Sequence, residues 1–258
     1  MTAFLDFIRD RVLLFDGGMG TQIQGADFDL EKDFWGQENC SEILNLSRED
    51  FVRGVHGAYL GAGSDAVETN TFGASPITLG EFGLQDKALE INKRAAELAR
   101  EAIEQQPDQS RTRFVVGAIG PGTRLPSLGH VTYRDLEDGF AVQAQGLLDG
   151  GVDAILIETA QDTLQVKAAV NGCRRSLRAN GRSEDELPVI VQVTVETTGT
   201  MLVGPDIAAA ATLMDALRVP SLGLNCATGP REMAEHVKYL SENWAGLISI
   251  QPNAGLPE

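Results

Sequence analysis

Short apolar runs recur along this chain, and five of them are followed by a stretch with helical periodicity. The runs are VLLFD (12–16), AVETN (66–70), FVVGAIG (114–120), AILIET (154–159), VIVQVTV (189–195), SLGLNC (221–226) and LISIQPN (247–253). Near-continuous apolar runs of this length suit parallel strands covered on both faces. The helical stretches are 86–105, 133–151, 162–177, 206–217 and 231–244. In the first of them, Leu89, Ala96, Ala99 and Ile103 set the expected core stripe. Strand alternating with helix implies right-handed crossovers in a parallel sheet.

Two parallel architectures compete. A doubly wound sheet gathers its functional residues at one switch point. A (β/α)8 barrel spreads them over all the C-terminal strand ends. Six of the seven runs here end in polar residues or glycine: Asp16-Gly-Gly, Glu68-Thr-Asn, Gly117 to Gly120, Glu158-Thr159, Asn225-Cys226 and Asn253-Ala-Gly. The spread favours a barrel. Only seven strand candidates are present, so the expectation is a TIM (β/α)8-type barrel with its eighth strand missing, a single domain over 1–258 that is C-terminally incomplete.

Composition narrows the function classes. With 21 basic against 37 acidic residues the net charge is −16. No basic face can assemble on such a chain, which argues against nucleic acid and against an anionic membrane surface. No apolar run approaches the roughly 20 residues of a membrane helix. The start of the chain carries acids and no small-residue cleavage site, unlike a signal peptide. Three distant cysteines, Cys40, Cys173 and Cys226, argue against a disulfide framework and for a reducing cytoplasm.

The strand ends carry the candidate chemistry. Asp16, Glu68 and Glu158 could converge to hold a divalent cation or to do acid–base work; each could equally accept loop amides. Gly17-Gly18-Met19-Gly20-Thr21 could bring backbone N–H groups to an anion, or form a plain tight turn. Cys226 ends a strand and could be a nucleophile or a metal ligand, or an inert core thiol. Cys173 and Cys40 read as structural. Lys32, Lys87, Lys93, Lys167 and Lys238 avoid the strand ends, which disfavours a Schiff-base aldolase. Of the histidines only His130 sits on a loop that could reach a barrel mouth.

Seven segments, taken together and in order, carry a resemblance. They are FDGGMGTQIQ (15–24), ENCSEILNLSRED (38–50), AYLGAGSDAVETNTFGAS (58–75), GAIGPGTRLPSLGH (117–130), LLDGGVDAILIETAQDT (147–163), GLNCATGP (223–230) and PNAGLP (252–257). The chain resembles the homocysteine-binding domain of the cobalamin-dependent methionine synthases, within the homocysteine S-methyltransferase family. The resemblance runs from about residue 11 to the last residue.

What the resemblance implies is specific. The fold would be a (β/α)8 barrel holding zinc through three cysteine thiolates, with homocysteine sulfur in the fourth position. Zinc keeps a thiolate at neutral pH, where a free thiol of pKa about 8.5 is mostly protonated. That thiolate would attack the methyl group of methylcobalamin to give methionine. Cys226 matches the first zinc ligand. Glu158 and Asn253 match positions that bind the amino acid end of homocysteine. The loop Gly18, Met19, Gly20 and Thr21 would receive its carboxylate, and Asp16 would shape that loop. The other two zinc ligands of the family are adjacent cysteines in a Gly-Gly-Cys-Cys-Gly motif on the eighth strand, expected beyond residue 258. Cys40, in a separate loop motif, is no substitute. The expectation is therefore a fragment of a longer chain whose folate- and cobalamin-binding modules lie elsewhere, binding zinc weakly and inactive in methyl transfer alone. The segment 193–206 departs from the polar pattern the family carries there.

Three other readings stay open: a stand-alone homocysteine methyltransferase using betaine or S-methylmethionine, a non-catalytic amino-acid-binding barrel, and a divalent-metal lyase built on Asp16, Glu68 and Glu158.

Overall fold

The structure, a computed structural model, describes residues 3–254. Six strands form one parallel sheet in sequential order: β1 (Ala66–Glu68), β2 (Phe114–Ile119), β3 (Ala154–Ala160), β4 (Val189–Val193), β5 (Ser221–Asn225) and β6 (Leu247–Gln251). The main helices are α1 (Ala3–Asp10), α2 (Met19–Gln24), α3 (Glu49–Ala62), α4 (Ala88–Glu104), α5 (Tyr133–Asp149), α6 (Thr163–Ala179), α7 (Ile207–Leu217) and α8 (Pro230–Asn243). The five anticipated helices and six of the seven anticipated strands are present. The architecture is an α/β parallel half-barrel. The strands curl until the end of β6 meets the end of β1, where Gln251 Nε2 donates to Glu68 Oε1 at 2.7 Å.

The seventh candidate, 12–16, is corrected. It joins no strand ladder among the described residues. It lies extended beside β1, and the Leu14 carbonyl accepts the Asp65 and Ala66 amides at 2.8 and 3.2 Å. Further along, the contact passes to a side chain: the Asp16 carboxylate accepts the Glu68 amide at 3.1 and 3.2 Å. The backbone pairing stops there, and Val12 and Leu14 are largely exposed.

Alternation along the strands explains the apolar runs. Val115, Ile119, Ile155, Ile157, Val189, Val191, Leu222 and Leu224 face outward into one core with helices α4–α8. Ala66, Phe114, Val116, Ala154, Leu156 and Ile190 face inward, where α1 closes the N-terminal end of the sheet with Phe4 and Leu5. The rings of Phe4 and Phe114 meet edge to face at 5.3 Å. One strand differs: on β6 the outward residues Ile248 and Ile250 are exposed.

The α4 stripe also needs one correction. Ala96 and Ala99 are fully buried, but Leu89 is 43% exposed. Ala96, Ala99 and Ala102 face the sheet core with Ile103 packed against it, while Ile91 and Leu98 face smaller apolar clusters beside it. Helix α5 packs so close that a Cβ on Gly146 would meet the Leu89 carbonyl and the Asn92 Cβ, both at 2.7 Å.

Caps mark the helix starts. Thr132, Asp162 and Asp206 accept the Asp135, Leu164 and Ala209 amides at 3.1, 2.8 and 2.8 Å. Asp162 also accepts the amide and hydroxyl of Ser127 at 2.9 and 2.7 Å, tying the loop after β2 to the one after β3.

Candidate active site

Inside the curl the inward face changes character toward the C-terminal strand ends. Apolar residues give way to Glu68, Glu158, Gln192, Asn225, Ser249 and Gln251. A cavity of about 1070 Å3 opens there. Its lining includes Asp16, Gly18, Met19, Gly20, Glu68, Glu158, Cys226 and Asn253. All the site residues expected from the sequence therefore meet in one place except Thr21, which is exposed outside the lining. Gly255–Pro257 of the PNAGLP motif lie outside the described residues. His130 is an exposed loop residue lining a shallow second hollow with Glu81 and Arg124.

Three carboxyl groups crowd the cavity. Burial raises Glu68 to about 7, while the Gln251 hydrogen bond pulls it down. Burial, then the Glu68 charge, holds Asp16 well above the ordinary carboxylate range. Burial, then Glu68 and Asp16, does the same to Glu158. Like charges in a low-dielectric site resist joint ionisation. The cluster thus favours protons, or a cation that replaces them.

Gly18 precedes α2 and caps it with no side chain, so the first amides of α2 carry no side-chain partner. Met19 and Gly20 bring those amides to the cavity lining. A Cβ on Gly20 would meet nothing within 4 Å, while one on Gly17 would meet the Tyr59 ring at 2.8 Å.

Cys226 is the one half-exposed cysteine; Cys40 and Cys173 are fully buried, with thiols pushed up to about 12 by burial. Cys226 sits just past β5 at φ +56°, with Ala227 at +55° and Thr159 opposite at +53°. Burial and the charges of Glu158 and Glu68 push its thiol up; hydrogen bonds from Thr159 and Asn225 oppose that. Its amide donates to the Gln251 carbonyl at 3.2 Å, and the Asn253 amide to the Thr228 carbonyl at 3.1 Å. Asn253 thus enters the site through the chain that continues β6.

Among the described residues no three His, Cys, Asp or Glu side chains stand close enough to hold a metal ion. Cys226 offers a single sulfur donor, so the described residues do not by themselves fit zinc. The metal-binding triad of Asp16, Glu68 and Glu158 does not form either.

Sequence reasoning missed several residues. Asn225 and Thr159 flank the cysteine sulfur. Glu42, Asn45 and Asn70 clasp the loop after β1: Glu42 Oε1 accepts the Gly73 amide at 2.7 Å, Asn45 Nδ2 donates to the Asn70 carbonyl at 2.7 Å, and Asn70 Nδ2 to the Ser41 carbonyl at 2.9 Å. The ENCSEILN segment was a signal for this clasp, since polar side chains inside an apolar stretch need partners.

The geometry can be set beside known proteins. The chain is 48% identical over 256 residues to the methionine synthases of Mycobacterium tuberculosis and Mycobacterium leprae, covering 99% of this chain and 21% of either relative. It spans about a fifth of the length of these relatives. Among solved structures, the metallated form of an Escherichia coli homocysteine methyltransferase superposes with a TM-score of 0.78 at 20% identity, covering 97% of this chain and 86% of that one. The apo form superposes with a TM-score of 0.71 at 20% identity, covering 95% and 82%. That likeness shows the fold. Residues 13–258 match the family described as homocysteine S-methyltransferase. The chain belongs to the homocysteine S-methyltransferase family, whose methyltransferases it resembles in both sequence and fold.

Proposed function

We propose that this chain is the homocysteine-binding part of a methionine synthase and presents the homocysteine thiol for methylation. One observation carries the reading: a cluster of three acids and a lone accessible cysteine line one cavity at the C-terminal strand ends. Homocysteine has complementary groups. Its ammonium suits Glu158, backed by Glu68 and Asp16, because a cation relieves their mutual repulsion. Its carboxylate suits the free amides at Gly18 to Gly20. Asn253 closes over the amino acid end. Its sulfur is then directed to the side of Cys226. Asp16, which accepts the Glu68 amide, holds the glycine loop against β1.

The motif resemblance adds zinc as the ion that keeps the thiolate and methylcobalamin as the methyl donor. Cys226 would be one ligand, and the other two are expected outside the described residues. The cobalamin- and folate-binding parts would belong to a longer cytoplasmic chain, and a complete eight-stranded barrel would include two strands beyond the six described.

Calorimetry tests the reading. L-homocysteine and its hydroxyl analogue L-homoserine should both bind, since the amino acid end supplies the contacts. Glu158→Gln should weaken both by tenfold or more, as expected when a buried charge pair loses one member, about 2–5 kcal/mol. No binding of either amino acid to the folded chain would overturn the assignment.

A further inference from the structure

Asn225 meets four groups with one side-chain amide. The residue is 3% exposed, and its Oδ1 accepts the Thr159 backbone N–H at 2.8 Å. A backbone N–H can only donate, so the amide orientation is fixed. Nδ2 must face the other way, where three acceptors wait: Thr159 Oγ1 at 2.7 Å, Cys226 Sγ at 3.4 Å and Glu158 Oε2 at 3.4 Å. An amide nitrogen has two protons. The short contact to Thr159 takes one, and the sulfur and the carboxylate share the other. With Oγ1 already accepting, the Thr159 hydroxyl proton is free to point at Cys226 Sγ, 3.8 Å away. The sulfur therefore stands at the accepting end of two converging donors. The local backbone is strained to achieve this: Thr159 is β-branched yet lies at φ +53°, and Cys226 at +56°.

We propose that Asn225 and Thr159 are positioning residues that fix the Cys226 sulfur as a hydrogen-bond acceptor facing the cavity, and that Asn225 ties this sulfur to Glu158. A cation taken up by Glu158 then frees an N–H for the sulfur. The inference rests on the reading above, in which Glu158 takes the amino group and Cys226 works through its sulfur.

The test is the rate at which iodoacetamide alkylates Cys226 in the whole 258-residue chain at one neutral pH, followed by peptide mass spectrometry. Cys40 and Cys173 are fully buried, so their protection reports an intact fold. Thr159→Val keeps the branched shape without the hydroxyl and should slow alkylation about fivefold, the value of one hydrogen bond. Thr159→Ser keeps the hydroxyl and should stay near the parent rate. Asn225→Asp replaces the donor by an acceptor and should slow it about tenfold or more. Glu158→Gln should accelerate alkylation more in the parent than in Asn225→Ala, which leaves no N–H to release and adds no charge beside Glu158, so the cycle cancels the direct effect of the charge.

Parent-like rates in Thr159→Val and Asn225→Asp, or equal slowing in Thr159→Val and Thr159→Ser, would overturn the positioning role. An additive cycle would overturn the tie to Glu158. If an Asn225 variant exposes the buried cysteines, the Thr159 pair decides alone. Loss of homocysteine binding would strike the functional reading and leave these rates untouched.

Discussion

Gln251 Nε2 donates to Glu68 Oε1 at 2.7 Å, joining the end of the last strand to the end of the first. The bond spans the mouth of the half-barrel and bears directly on the state of Glu68 in the acid cluster. Gln251 is the partner that holds Glu68 down to about 7 against the push of burial. Gln251→Met should therefore move the Glu68 titration upward from about 7. Carboxyl carbon NMR with labelled glutamate reads this directly; an unmoved titration would show that the bond does not persist in solution.

Glu68 also makes stability depend on pH. Its folded value of about 7 lies above the ordinary 4.5, so the folded state binds more protons between the two. Stability is then fully present below about 4.5 and is lost as pH rises toward 7. Glu68→Gln should remove that slope and be more stable than the parent at pH 7.5 by about 1–3 kcal/mol. Urea unfolding of both chains across pH 4.5–7.5 checks it. Equal slopes would refute the coupling between this carboxyl and folding.

His56 works in the opposite sense. It is fully buried on α3, its two ring nitrogens have no partner among the described residues, and burial lowers it from 6.5 to about 4. The unfolded chain binds the proton first, so stability is lost as pH falls from 6.5 toward 4. The full loss is at most about 3 kcal/mol. His56→Leu should abolish it, and the stability difference between the two chains should widen steadily as pH drops. A constant difference would mean that His56 is protonated in the folded chain.

Gly223 of β5 stands opposite Ser249 of β6. A Cβ there would run into the carbonyl oxygen of Ser249, which is backbone and cannot swing aside. Gly223→Ala should destabilise by about 3 kcal/mol or more, beyond ordinary overpacking. The break would fall beside Cys226, whose amide is bonded to Gln251. Thermal unfolding measures the loss, and faster amide exchange along β6 than along β2 would localise it. Gly20→Ala, with open space around it, serves as the control and should leave stability nearly unchanged.

The sequence by itself determined the alternation of strand and helix, and with it the parallel sheet. Long apolar runs such as FVVGAI and AILI report burial on both faces, and that is a local property of each segment. It also placed Glu68, Glu158 and Cys226 at strand ends, which in sequential parallel order share one mouth; Asp16 reaches that mouth from a segment that joins no ladder.

Other features belong to the tertiary structure. The segment 12–16 reads as a strand, but whether it joins a ladder depends on its neighbour, and there the Asp16 side chain meets β1 in place of a carbonyl. Leu89 fits a helical stripe in the sequence, yet α5 comes so close there that a Cβ on Gly146 would meet the Leu89 carbonyl and the Asn92 Cβ, and the Leu89 side chain is left exposed. The Asn225 clamp joins positions 66 residues apart through an amide whose direction is fixed by the Thr159 N–H. Periodicity reports which face of a segment is apolar; it carries no information on which polar groups meet across the sheet. That is set by register and curl, because hydrogen bonds form only within about 3 Å and only where donor and acceptor are brought face to face.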